Sequence, residues 1–157
     1  MQFHAGKNVL EYEHMYQNRE IAPLMTGMQC GCGQHVLVVD DEPTVLQFVK
    51  TLLERLGYVV TAMTNPVAAL EQFAPCRFDL VITDLKMPQM SGHAFGSRIL
   101  EIEPTTPVIM ITGAAMHLDI SAAYARGFVD VVLKPWDIFV FAETVAKAMG
   151  IGVKAAA

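Results

Sequence analysis

The sequence predicts an α/β fold: a doubly wound, five-stranded parallel sheet with five helices divided between its two faces. Three observations carry that prediction. From residue 35 onward, short apolar runs alternate with segments of helical period. The runs are continuous in apolar character rather than alternating, as strands covered on both faces require. Gly, Pro, Ser, Asn and Asp punctuate the chain where helices start and stop.

The strands are HVLVVD (35–40), YVVTAM (58–63), FDLVITD (78–84), PVIMIT (107–112) and FVDVVLK (128–134). After the first, Val45, Phe48, Val49, Leu52 and Leu56 recur at helical spacing, so residues 43–56 present one apolar stripe to the sheet. Gly57 ends that helix. Asn65 followed by Pro66 starts the second, Ser91 caps the third, Gly127 closes the fourth and Asp137 caps the fifth. In the fifth, Ile138, Phe139, Val140 and Phe141 turn by about 100° each, so they cannot all face the sheet. Some of them must point outward, where a contact face is expected unless the N-terminal extension covers it.

At 157 residues the chain can bury one ordinary core without disulfides or structural metal. It is 53% hydrophobic and 17% charged, yet no apolar run approaches the length of a membrane-spanning helix. The start, MQFHAGKNVLEYEH, lacks the basic and apolar regions of a secretion signal, so a cytoplasmic location is expected. Cys30, Cys32 and Cys76 show no disulfide framework, and the Cys-x-Cys pair beside His35 lacks the spacing of a zinc site. A net charge of −5 with 11 scattered Lys and Arg argues against direct nucleic-acid binding.

In an open parallel sheet, functional groups gather beyond the carboxyl ends of the strands. Strand one ends at Asp40 and Asp41, strand three at Asp84, strand four at Thr112 and strand five at Lys134. Two carboxylates about 4 Å apart repel by roughly 4 kcal/mol at an effective dielectric of 20, so the acids imply a cation. An all-oxygen pocket suits Mg²⁺, with Lys134 adding positive charge. Glu42 stays out, since it falls where the first helix begins and an acid suits the dipole. Asp84, followed by the open loop LKMPQMSG, is the candidate nucleophile toward phosphorus. The Thr112 hydroxyl and the amides of Gly113 and Ala114 can receive phosphoryl oxygens.

VVDDE, ITDLKMP, ITG and LKPW, in this order and spacing, resemble the receiver domain of bacterial response regulators over roughly residues 34–150. The resemblance implies a flavodoxin-like strand order, 2-1-3-4-5, and phosphorylation of Asp84 by a histidine kinase or a histidine phosphotransfer protein. It implies that Asp41 binds Mg²⁺ directly, Asp40 through water, and Lys86 through its main-chain carbonyl. Lys134 then contacts the phosphoryl group, Thr112 moves to bond it, and Pro135 follows a cis peptide. The protein is not expected to be an enzyme beyond its own phosphoryl transfer and slow self-hydrolysis.

Two positions depart from the family pattern. Receivers usually carry an aromatic residue three places before the lysine, where this chain has Val131. Signalling is therefore expected to rely on the loop after strand four and on the fourth helix. Ala114, two residues after the threonine, cannot orient water, which implies slow dephosphorylation.

Competing functions are weaker. A phosphohydrolase of the haloacid dehalogenase type needs a second Asp two residues after the nucleophile, and Lys86 stands there. A flavodoxin-like cofactor binder would place phosphate at the acids of residues 40–42, which repel it. A pseudo-receiver with solvated, unused acids is the remaining alternative.

Residues 1–33 form an N-terminal extension, with a helix over 8–20 and a linker, and 151–157 a short tail that leaves no room for an effector domain. Output is therefore expected through protein contact by helix four, strand five and helix five, with a target or a second copy.

Overall fold

The computed structural model describes residues 31–113, 117–134 and 136–151. The predicted helix over 8–20, Ala114, Pro135 and the residues after 151 lie outside that range. The element order is β1 (His35–Val39), α1 (Pro43–Arg55), β2 (Val59–Met63), α2 (Pro66–Gln72), β3 (Leu80–Asp84), α3 (Gly92–Ile102), β4 (Val108–Thr112), α4 (His117–Ala125), β5 (Asp130–Leu133) and α5 (Ile138–Ala148). All strand pairs are parallel and their order is β2-β1-β3-β4-β5. Both expectations hold.

The punctuation acts as the sequence indicates. Asn65 accepts from the amides of Val67 and Ala68, Ser91 from Ala94, and Asp137 from Phe139 and Val140. The strands come out shorter at their ends than the apolar runs. Tyr58 shows why: its amide donates to Leu53 O and closes α1 instead of joining the ladder.

Alternate strand residues enter two cores. Val36, Val38, Leu80, Ile82, Ile109 and Ile111 meet α1 and α5, whereas Leu37, Val39, Val81, Val108 and Met110 meet Phe95 and Ile99 of α3 and Ala123 of α4. Burial on both faces explains why the runs are continuous. In α5, Ile138 and Phe141 are buried, Phe139 is partly buried and Val140 is 56% exposed. The expected outward residue is thus Val140.

The last residues of the predicted linker are tied down. The amides of Gly31 and Gly33 donate to Leu56 O and Gly57 O. Gly57 has φ of +97°, and a Cβ there would lie 2.6 Å from Gly31 O, so only glycine fits both demands.

Gly96 of α3 packs directly beneath the Phe128 ring, which a Cβ would overlap. Gly96→Ala is therefore expected to lower the unfolding free energy by about 1–3 kcal/mol despite the better helix propensity of alanine. Urea denaturation should show the loss as a lower midpoint with an unchanged slope.

Candidate functional site

The parallel register brings the predicted groups to one edge. Val39 is level with Thr83, Asp84 with Ile111 and Thr112 with Leu133. Asp40 and Asp41 therefore emerge beside Asp84, and Thr112 beside the β5 terminus. The Lys134 amide donates to Thr112 O at 2.7 Å, fixing the start of the lysine stem.

Asp40 is fully buried. Its Oδ1 accepts the Glu42 amide at 2.9 Å, and its Oδ2 accepts from Lys134 Nζ at 3.2 Å. The same ammonium stands 3.7 Å from Asp84 Oδ1. One cation thus spans two carboxylates. Asp40, Asp41 and Asp84 each offer a carboxylate oxygen, all within 4.8 Å of one another.

Burial pushes the Asp84 carboxyl up to about 6 from 3.8; Lys134 opposes the rise and Asp40 adds to it. Burial likewise raises Asp40, against the Glu42 amide and Lys134. Ionising all three acids leaves a formal charge of −2 after Lys134 is counted. A hard divalent ion matches both that charge and the oxygen donors.

Glu42 is exposed and occupies the N-cap of α1, with no side-chain capping bond, so it stands apart as expected. Thr112 is buried at the end of β4, while Lys86 is exposed two residues beyond Asp84. Val131 is half-buried and packs on the α3–α4 side of the sheet.

Two features of the loop after Asp84 escaped the sequence reading. Its left-handed residue is Gln89, with φ of +71°, rather than a glycine. A non-glycine there costs about 1–2 kcal/mol, which the bonds Gly92 N to Leu85 O and Met90 N to Pro88 O help offset. Gly92, at the end of the loop read from sequence as open, packs on the Asp84 carbonyl, which a Cβ would strike. That contact holds the backbone of the candidate nucleophile.

The profile of the response regulator receiver domain family matches residues 36–146. Among curated proteins, the chain is 36% identical over 103 residues to the transcriptional regulatory protein CseB of Streptomyces coelicolor, covering 66% of this chain and 44% of CseB. It is 34% identical to the sensor histidine kinase GacS of Pseudomonas protegens, over 76% of this chain and 14% of GacS. The chain spans less than half the length of these relatives. Among solved structures, a response regulator receiver domain protein from Clostridium thermocellum aligns with TM-score 0.69 and 32% identity, over 74% of this chain and 94% of that one. The signal receiver domain of an HD domain-containing protein from Pseudomonas fluorescens Pf-5 aligns with TM-score 0.71 and 29% identity, over 75% and 95%. Fold, strand-edge residues and family profile agree, and the chain belongs to the response regulator receiver domain family of two-component signalling.

Proposed function

We propose that residues 34–150 act as a phosphoacceptor module in which Asp84 receives a phosphoryl group from a phosphohistidine of a kinase or phosphotransfer protein. A carboxylate oxygen of Asp84 attacks phosphorus, the P–N bond breaks, and its electron pair stays on the imidazole of the donor. The observation that carries this reading is one ammonium, Lys134, reaching both Asp40 and Asp84 within a cluster of three carboxylates.

Asp40, Asp41, Asp84 and the Lys86 carbonyl are the groups that would hold Mg²⁺, which supplies neutralising charge when bound. Lys134 contributes positive charge toward the transferred group, and Thr112 contributes a hydroxyl beside it. Output then passes through protein contact at α4, β5 and α5, where Tyr124, Leu133 and Val140 are exposed.

The test is incubation with acetyl phosphate and Mg²⁺ followed by intact-mass spectrometry. A gain of one phosphoryl group is expected for the wild type and none for Asp84→Asn. An unmodified wild-type protein would favour the pseudo-receiver reading, and catalytic turnover of a generic phosphate ester would favour a phosphohydrolase.

A further inference from the structure

Beside the site, the loop after β3 and the start of α4 enclose an open groove of about 580 Å³, lined in part by Lys86, Met87, Pro88, His93 and Asp119. His93, in the first turn of α3, has a side chain only 15% exposed. Both of its ring nitrogens are buried and make no hydrogen bond among the described residues. Its ring packs 6.2 Å from that of Phe128, the same ring that seats on Gly96 one turn further along α3. His93 is therefore part of the surface on which α4 and the residues after it rest.

Among the described residues, a neutral imidazole has one buried N–H without a partner, whereas an imidazolium would have two and add a charge. The charged groups acting on it are Asp119 of α4 and Arg126 just beyond α4, and Lys86 of the loop lines the same groove. Asp119 Oδ1 is 4.0 Å from His93 Nε2, beyond hydrogen-bond reach, and the Asp119 side chain is 35% exposed. Arg126 is held toward α3 by its bond to Ser97 Oγ at 3.2 Å. Burial and one cation thus oppose one screened acid. Burial and Arg126 accordingly lower the pKa of His93, with Asp119 opposing. The packed arrangement favours the neutral ring.

We propose that His93 makes the packing of α4 on α3 proton-sensitive: uptake of a proton by its imidazole loosens α4 and eases its displacement. The link to signalling rests on the phosphoacceptor reading of Asp84; the packing claim stands apart from it.

The test is amide hydrogen exchange of the full chain at pH 7.5 and 5.5, corrected for intrinsic rates. Residues 119–125 are expected to exchange at least about threefold faster relative to α5 at the lower pH. His93→Leu, similar in bulk and unable to protonate, should remove that difference, and Asp119→Asn should enlarge it. Exchange in α4 that ignores pH, slows in acid, or keeps its pH response in His93→Leu overturns the proposal.

Repeating the measurement with Mg²⁺ and fluoroberyllate separates the two claims. If activation releases His93, its NMR titration midpoint should rise in the complex. A bound complex with an unmoved midpoint overturns the link. Failure of fluoroberyllate to bind counts against the phosphoacceptor reading, with the packing claim already decided by the first measurement.

Discussion

With divalent ions chelated, the unfolding free energy is expected to fall as pH rises from about 4 to about 7, and Asp84→Asn is expected to make that fall shallower. Asp84 titrates near 6 in the folded chain against 3.8 as its ordinary value. Between those values the folded state holds a proton that the unfolded state has released, so stability declines as pH increases. The contribution is complete below the unfolded value and gone above the folded one. A displacement of this size corresponds to about 2–3 kcal/mol. Asp40, raised by the same burial, adds a slope of the same sign that survives the substitution.

Two results follow at pH 7.5. Asp84→Asn should be more stable than the wild type by about 2 kcal/mol without metal, because it removes one of three crowded charges. Saturating Mg²⁺ should stabilise the wild type by about 2.7 kcal/mol at a hundredfold excess over its dissociation constant, and the variant by much less. Urea melts at pH 4.5 and 7.5, with chelator and with Mg²⁺, measure all four cases. A wild-type profile flat across this range would show that Asp84 ionises freely in the folded protein. The acids would then exert no strain for a cation to relieve.

Much of this architecture could be read from the chain because each strand is buried on both faces and each helix carries one stripe. Continuous runs such as LVITD and the 3.6-residue spacing of Val45, Phe48, Val49 and Leu52 are direct imprints of burial. The convergence of Asp40, Asp84, Thr112 and Lys134 was legible for the same reason. Parallel strands of near-equal length end at one edge, so the last polar residue of each is carried there. Less legible were contacts set by atoms rather than by pattern. Nothing in LKMPQMSG reveals that Gln89 takes the left-handed conformation or that Gly92 abuts the Asp84 carbonyl. Nor does spacing disclose that Lys134 lies nearer Asp40 than Asp84. Nor does the sequence mark His93 as buried, because its ring packs near Phe128, which is 35 residues away along the chain.

Lys134→Met provides the sharpest separation of charge from packing. The ammonium is the only cation that the structure pairs with Asp40 and Asp84 among the described residues. Removing it leaves two buried carboxylates facing each other, and breaking such a buried pair typically costs about 3–5 kcal/mol. Protonation limits the loss here, since Asp84 can take up a proton once its partner is gone. A destabilisation of about 3 kcal/mol at pH 8 without metal is therefore expected, shrinking toward pH 5 as the carboxyls neutralise. Methionine retains much of the lysine stem, so apolar contacts change little. In the Asp84→Asn background only Asp40 still needs the ammonium, and the same substitution should cost at least about 1 kcal/mol less, a coupling that a double-mutant cycle reads directly. Losses equal at pH 5 and pH 8, or equal in the two backgrounds, would assign Lys134 to packing alone. The ammonium would then lose its place as the counter-charge that keeps three acids tolerable at one sheet edge.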